Sequence, residues 1–472
     1  GMASFDLIVL GSGPGGYIAA IRAAQLGLST ALVEKDPVLG GTCLHRGCIP
    51  AKTWLETAHR FEQMQQAADY GIQGVDGKAL RPDLATVVKR KGRIVLKNAK
   101  GIEFLMKKNK VTVLKGFGAL AGGGRVQVQG EAGVETHEAK RIILATGSVP
   151  KELPGLETDG QRVLNSDHIL DRQELPGHLL ILGGGAIGVE FASTFVRLGA
   201  KVTLVEMMDT LLPVEDIAIG EELAKILAKQ YKMDIRTGTK VARIERLEDK
   251  VVCHLEGAKP GAVEATHLLV AVGRSPLTAG IGLEATRAVV DRGCVAVDGY
   301  MRTGEPGLYA IGDIVRTPWL AHVASDEGIV AAEHAAQSLG VAAQPHPIDY
   351  ERVPGCTYCD PEVGSVGLTE RAAREKGLDV QVGTFPFMPM AKANIVGEPH
   401  GFIKIVAEKQ YGEILGIHII GPKATELVAS SVALLAGEMT VEALVNTMYP
   451  HPTLNEVFPE AARAVLGRAL NL

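Results

Sequence analysis

The sequence predicts an α/β chain with two doubly wound parallel-sheet units followed by a C-terminal α+β domain. Three observations carry this. A strand, a glycine-rich turn, a helix and a second strand follow one another from residue 5, the same phrase recurs from residue 179, and from about Pro345 strands precede helices. At 472 residues the chain is too long for one ordinary core, and two to four domains are expected.

In the first copy an apolar run at 5–10 meets GSGPGG at 11–16, a helical stretch covers 17–26, and a strand at 30–33 ends at Glu34. In the second, 179–182 meets GGGAIG at 183–188, a helix runs to Leu198, and 201–205 ends at Glu206. The glycines at the first, third and sixth places have separate tasks: the tight turn, close approach of backbone to a pyrophosphate, and helix–strand packing. These are Gly11, Gly13 and Gly16 in one copy and Gly183, Gly185 and Gly188 in the other. The opened helix start offers N–H groups to phosphates, and each glutamate stands where a ribose diol can be bound. Both units therefore read as Rossmann-like dinucleotide-binding domains.

A strand at 141–145 closes on Thr146-Gly147 and one at 267–272 on Gly273-Arg274, each the last strand of its unit. Glu206 favours a free 2′-hydroxyl, and Met207, Met208 and Asp209 provide no positive charge for a 2′-phosphate, so the second site reads as one for NAD. A short strand at 308–311 ends in Gly312-Asp313, and a helix follows over 321–335. Strands at 381–385, 402–406 and 414–420 then precede helices from Ala424 onward. The expected domains are 1–150, 151–275, a segment 276–345 that returns to the first unit, and 346–472.

Hydrophobic residues make up 46% and charged residues 22%, with a formal charge of −5, which disfavours nucleic acid or an anionic membrane as partner. No apolar run reaches the ~18 residues of a membrane span. The strand-like run begins too near the N-terminus for a signal peptide, with Gly1 ahead of Met2 set aside. Six cysteines in so long a chain are no secreted scaffold, and a cytoplasmic setting is expected.

Between the first unit's second strand and its later parts lies GGTCLHRGCIPAK at 40–52. Thr42 is a candidate cap for a helix starting here. Five helical residues advance ~7.5 Å, beyond the ~7 Å limit on Cα separation in a disulfide. A Cys43–Cys48 bond therefore requires a distorted segment, which Gly47 would ease. Such a strained bond is easily reduced, and a helix start favours thiolate. Two unrelated thiols, or half of a zinc site, are the alternatives; the spacing fits a zinc hook poorly, and no metal is expected. Near the C-terminus, His451 stands five residues before Glu456. Residues 453–456 also read as a capping box, which would leave His451 an ordinary loop histidine.

The run GGTCLHRGCIPAK, the two glycine motifs, ATGS at 145–148, IGD at 311–313 and HPTLNE at 451–456 together resemble the dihydrolipoamide dehydrogenases of the pyridine nucleotide–disulfide oxidoreductase family. The resemblance covers essentially the whole chain, in order. It implies FAD bound through Gly11, Gly13, Gly16 and Glu34, with Gly118, Thr146, Gly147, Asp313 and the segment around Ala321 along the cofactor. Lys52 would lie near the reactive face of the flavin and pair with Glu190. NAD would be bound through Gly183, Gly185, Gly188, Glu206, Val241 and Gly273. Cys43 would exchange with substrate, Cys48 would pass electrons to the flavin, and His451, oriented by Glu456, would be the base. The implied activity is reoxidation of protein-bound dihydrolipoamide with NAD+ as acceptor. The family implies a homodimer whose last domain is the interface, with His451 serving the other subunit's disulfide. The implied partner is a lipoyl domain, of a 2-oxo acid dehydrogenase acyltransferase or a glycine-cleavage carrier protein.

A glutathione reductase would need basic residues where Glu206 to Asp209 stand. A mercuric reductase would have a C-terminal cysteine pair that this chain lacks, and a transhydrogenase would not need the pair at 43 and 48. A non-catalytic docking subunit of a 2-oxo acid dehydrogenase complex would have lost Cys43, Cys48, His451 and Glu456. His45-Arg46 between the cysteines departs from the family's usual Asn-Val, and Trp319 replaces a Met. Cys356 and Cys359 form a CxxC in a strand-like setting and read as structural.

Overall fold

A computed structural model describes residues 2–472. The chain divides into two compact units, each assembled from three pieces. One takes the chain up to Thr53, Val88–Lys151 and Arg274–Tyr350, and the other takes Trp54–Val87, Glu152–Gly273 and Glu351–Leu472. The stretch after Arg274 thus lies with the N-terminal strands, while Trp54–Val87, inside the expected first domain, is compact with the second unit.

In the first unit the parallel strands run in the order Thr112–Lys115, Thr30–Glu34, Ser4–Leu10, Gly133–Leu144, with Leu308–Ala310 also paired to Gly133–Leu144. Leu7, Ile8, Val9 and Leu10 are buried on both faces of the sheet, which is why this stretch reads as a continuous apolar run. Helix Pro14–Gln25 starts with proline in its first turn, where the missing N–H costs nothing. Its small face crosses helix Ala321–Ser338 closely: a Cβ at Gly328 would stand 2.4 Å from the Gly15 carbonyl oxygen. Antiparallel strands Phe117–Gly122 and Arg125–Gly130, not anticipated from the sequence, extend the sheet.

The second unit repeats the parallel order with Asp234–Arg236, Lys201–Val205, His178–Leu182, His267–Val270 and Val163–Leu164. Strands Thr239–Arg246, Val251–Gly257 and Gly261–Ala265 form a separate antiparallel sheet. The C-terminal part is a five-stranded antiparallel sheet ordered Gly355–Thr357, Glu362–Gly367, Ile414–Gly421, Phe402–Glu408, Val380–Pro386. Helices Ala424–Ala436 and Val457–Val465 contribute to its core. The second of those strands, preceded by Pro361 and ending in Gly367, escaped the sequence reading, while the first lies in the strand-like setting expected around Cys356. Among the described residues no helix is long and apolar enough to cross a membrane, and no cluster of metal-binding side chains occurs.

A polar cluster lies inside the second unit. Arg197 Nε donates to Glu62 at 2.9 Å, and the Tyr231 hydroxyl binds both Glu62 and Asp360. Burial, reinforced by Asp360 and Glu362 against Lys423 and Arg197, pushes the Glu398 carboxyl up to about 7. An acid raised in the folded state disfavours folding once it must ionise there. The penalty therefore grows from the unfolded value of about 4.3 upward and is complete above the folded one. Glu398→Gln is expected to stabilise the protein by roughly 2 kcal/mol at mildly alkaline pH and to be neutral in acid. Urea denaturation at the two pH values checks this.

Candidate active site

The two glycine turns are built alike. A Cβ at Gly11 would stand 2.0 Å from the Ala145 carbonyl oxygen, and one at Gly16 would stand 1.8 Å from that of Gly11. In the second unit Gly183 meets Ala271 at the same 2.0 Å and Gly188 meets Gly183 at 1.8 Å. Gly11 and Gly183 also have φ of +103° and +117°, open to glycine alone at little cost. Gly13 and Gly185 differ, for nothing lies within 4 Å of a Cβ built on either. The protein's own packing requires the outer two glycines of each turn, whereas the middle one borders open space at a helix start. That is the shape of a pyrophosphate cradle.

This separation is testable. Gly13→Ala is expected to fold as well as the parent and lose dinucleotide affinity about ten-fold or more, while Gly16→Ala is expected not to fold. Circular dichroism of the apoprotein, together with flavin titration, distinguishes the two.

The acids are also matched. Glu34 accepts the Ser12 N–H on one oxygen at 3.0 Å and the Asp36 N–H on the other at 2.9 Å. Glu206 accepts the N–H groups of Gly184 at 2.6 Å and Met208 at 2.8 Å. Each carboxylate is therefore held rigid by backbone at the tip of its strand and keeps lone pairs for a diol. Gly118, whose Cβ would press Val33 and Leu10 at 3.0 and 3.1 Å, lies over the first sheet. Val241 is buried at the start of its antiparallel strand, and Gly273 has φ of +108° and open space beside it.

The cysteine segment packs against the first cradle. Gly40 donates its N–H to the Ser12 hydroxyl at 3.2 Å, and a Cβ at Gly41 would stand 2.5 Å from Gly13 Cα. Helix Gly41–Arg46 carries Cys43, and helix Cys48–Gln65 starts at the second cysteine. Thr42 does not cap: Gly40, with φ of +126°, is the N-cap, where a Cβ would strike the Leu44 side chain at 2.4 Å, and Gly41, pressed on Gly13, opens the helix. Between the helices Gly47 breaks the chain at φ −137°, ψ −116°, and a Cβ on it would meet the Thr42 carbonyl at 3.0 Å and Cys43 Cα at 3.2 Å. This break is the distortion that the spacing requires.

Cys43 and Cys48 are both free thiols, and the two are hydrogen-bonded. That bond, then burial and the charge of the neighbouring sulfur, push the Cys43 thiol far above the ordinary range, while Lys52 opposes them. Arg46 is turned away to Asp36 at 3.2 Å, and His45 Nε2 binds the Leu39 carbonyl at 2.8 Å. The unusual His-Arg pair braces the loop and does not bond to the sulfurs.

Thr146 Oγ1 donates to the Leu277 carbonyl at 2.6 Å, and Gly147 has φ of +75°. Asp313, raised by burial against Ser148 and Arg274, accepts from the Ser148 hydroxyl at 2.6 Å, and Arg274 Nε donates to that same hydroxyl at 2.8 Å. Behind this turn is a residue the sequence reading missed. Glu327, fully buried, accepts the Gly312 N–H at 2.9 Å and the Tyr350 hydroxyl at 2.6 Å. Its signal was an acid within the small-residue run of helix Ala321–Ser338, the helix that Ala321 begins. Trp319 Nε1 donates to the Val315 carbonyl at 2.9 Å.

In the second unit Glu190 is buried on helix Ala186–Leu198 and accepts the Tyr358 N–H at 3.0 Å. Cys356 and Cys359 remain separate thiols with different partners, the carbonyls of Thr425 at 3.9 Å and Pro361 at 3.2 Å. His451 Nδ1 lies 2.8 Å from Glu456 Oε1, and Glu456 Oε2 accepts the Thr453 N–H at 2.9 Å. One carboxylate thus closes the capping box with one oxygen and holds the imidazole with the other. The His451 side chain is 71% exposed, and among the described residues nothing bonds its Nε2.

Comparison with known proteins agrees with this geometry. The chain is 41% identical to a dihydrolipoyl dehydrogenase of Rhizobium etli and 42% identical to one of Bacillus subtilis, each alignment covering 99% of both chains. Solved structures of LpdA from Mycobacterium tuberculosis (TM-score 0.88) and of the HOCl-induced flavoprotein disulfide reductase RclA from Escherichia coli (0.84) share its fold. Each is 27% identical, and they cover 98% and 97% of this chain and 99% of their own. Residues 5–328 match the profile of the pyridine nucleotide-disulphide oxidoreductases, and residues 353–462 match the dimerisation domain of the same group. With two matched cradles, a cysteine pair packed on the first, and a profile match spanning most of its length, the chain belongs to the pyridine nucleotide-disulphide oxidoreductase family.

Proposed function

We propose that this chain is the flavoenzyme that reoxidises protein-bound dihydrolipoamide with NAD+, a cytoplasmic homodimer serving a lipoyl-bearing carrier. The observation that carries the reading is the Cys43–Cys48 pair: two hydrogen-bonded sulfurs at a helix start, packed on the first dinucleotide cradle, with Lys52 beside them. Full-length likeness to proteins named dihydrolipoyl dehydrogenase supports the choice of substrate. The matching dimerisation profile supports the dimer.

In the oxidised enzyme a substrate thiolate attacks Cys43 Sγ, forming a mixed disulfide and releasing Cys48 as thiolate. The second substrate thiol then attacks its own sulfur in that bond, so lipoamide leaves oxidised and Cys43 leaves reduced. Each attack needs a thiolate, and His451 Nε2 takes the proton while Glu456 holds Nδ1–H and stabilises the imidazolium. Gly11, Gly13, Gly16, Glu34, Gly118, Thr146, Gly147, Asp313 and Ala321 line the place for FAD. Gly183, Gly185, Gly188, Glu206, Val241 and Gly273 line that for NAD. Bound there, FAD would supply the acceptor for the pair's two electrons and NAD+ the final acceptor of a hydride. By the family resemblance, Lys52 and Glu190 are the charged residues assigned to the flavin's reactive face.

Steady-state rates with NAD+ and NADP+, each with dihydrolipoamide and with glutathione, test the proposal. Turnover confined to dihydrolipoamide with NAD+ is expected. Faster turnover with NADP+, or none with dihydrolipoamide, would overturn it.

A further inference from the structure

One surface stands apart from the rest of the chain. Helix Leu84–Lys108 reads LATVVKRKGRIVLKNAKGIEFLMKK, with basic residues along its length and Glu103 as its only acid, in a protein of net charge −5. Its inner side is ordinary: Ala99, Ile102 and Met106 belong to the core of the first unit. Its outer side is a single stripe. Lys89, Arg93, Lys97 and Lys100 follow one another at helical spacings of three or four, Lys108 lies two further turns along with Phe104 between, and all five basic residues are exposed. Among the described residues none of them is in an ion pair. From Lys89 to Lys108 the stripe is about 28 Å long.

A merely solvated helix face alternates its charges, because like charges at i, i+4 repel. This face does not, and it exposes two large apolar side chains within the same stripe, Leu96 at 51% and Phe104 at 64%. Cations flanking an exposed aromatic form a surface suited to an acidic partner with an apolar spot. A bilayer is a poorer match, since the helix's apolar side is already buried in the core. A nucleic acid is disfavoured by the acidic balance of the remaining chain.

We propose that this stripe is the docking surface for the acidic face of the protein that carries the dithiol substrate. The inference rests on the reading of the chain as a dihydrolipoamide-oxidising enzyme, and it adds where the carrier is held. The stripe contributes nothing to the chemistry at sulfur. It raises the local concentration of carrier and steers its approach, an effect that depends on ionic strength.

The test compares free dihydrolipoamide with a reduced, lipoylated carrier domain of net negative charge, using the holoenzyme and two variants. One variant is Arg93→Glu/Lys97→Glu/Lys100→Glu and the other is Leu96→Ser/Phe104→Ser. Expected are a rise of about ten-fold or more in KM for the carrier domain with the charge reversal, and a smaller rise with the apolar replacement. The wild-type KM for the carrier should climb with salt toward the charge-reversed value, while kcat/KM for free dihydrolipoamide stays unchanged in every case. An unchanged carrier KM, an equal loss with both substrates, or a monomeric variant would overturn the proposal, the last by making the stripe a subunit contact. So would wild-type binding to anionic vesicles or duplex DNA that the charge reversal abolishes. Failure of the wild type to oxidise free dihydrolipoamide would instead defeat the functional reading itself.

Discussion

Cys48→Ser is expected to retain bound flavin and to lose dihydrolipoamide turnover by roughly three orders of magnitude or more. The two outcomes separate because the cradle and the sulfur are distinct parts. The turn at Gly11, Gly13 and Gly16 and the strand-end Glu34 hold their geometry through backbone contacts that do not involve Cys48. Serine keeps the first position of its helix and occupies nearly the same volume, so the fold has no reason to change. What disappears is the only sulfur placed to receive the bond that Cys43 gives up. Gly47→Ala supplies the graded companion. Its methyl would press the Thr42 carbonyl and Cys43 Cα at 3.0 and 3.2 Å, so the variant should fold with both thiols present yet close the disulfide poorly. Flavin absorbance, thiol titration and single-turnover reduction together check the pair. Retained dihydrolipoamide turnover in the serine variant would refute the assignment of Cys48.

The second large effect is expected at the base. His451→Gln should lower kcat/KM for dihydrolipoamide by roughly 10²–10⁴-fold, leaving flavin content and reduction of the enzyme by NADH unchanged. Removal of the imidazole leaves the substrate thiol without an acceptor for its proton, whereas the path from NADH to the cysteine pair does not use it. Glu456→Gln should fall between this variant and the wild type. Its amide has one acceptor oxygen where the carboxylate has two, so either the Thr453 N–H loses its acceptor or the NH2 faces His451 Nδ1 and moves the ring proton to Nε2. A deficit confined to the dithiol half-reaction, measured by stopped flow, is the result that fits. An equal loss in both half-reactions would place His451 outside the chemistry.

Legibility in the sequence followed how local the cause was. The outer glycines of each turn were readable because a hard-sphere contact within the turn or its closing strand dictates them, at 1.8 and 2.0 Å. The need for a break between Cys43 and Cys48 was readable because helix rise and disulfide reach are fixed lengths. Thr42 misled because capping preference is weak beside the packing of Gly40 and Gly41 on the first cradle. The segment at 451–456 was ambiguous for a physical reason, as one carboxylate has two oxygens and either reading used only one of them. Glu327 was invisible as a site residue. Its meaning depends on the Gly312 amide and the Tyr350 hydroxyl, 15 and 23 residues away, and no periodicity encodes that meeting. The antiparallel strands at 117–130 and 239–265 were missed because they are short and partly exposed, which blurs their alternation.

The double duty of Glu456 also sets how the molecule responds to heat. Helix ends fray before domains unfold, and the turn at Leu454–Glu456 leads into the last helix, Val457–Val465. When that turn loosens, the imidazole loses its orientation in the same event. Activity toward the dithiol should therefore fade at temperatures where the sheets and the flavin signal are still intact, and return on cooling. Warmth would act on this protein first as a reversible brake and only later as a denaturant.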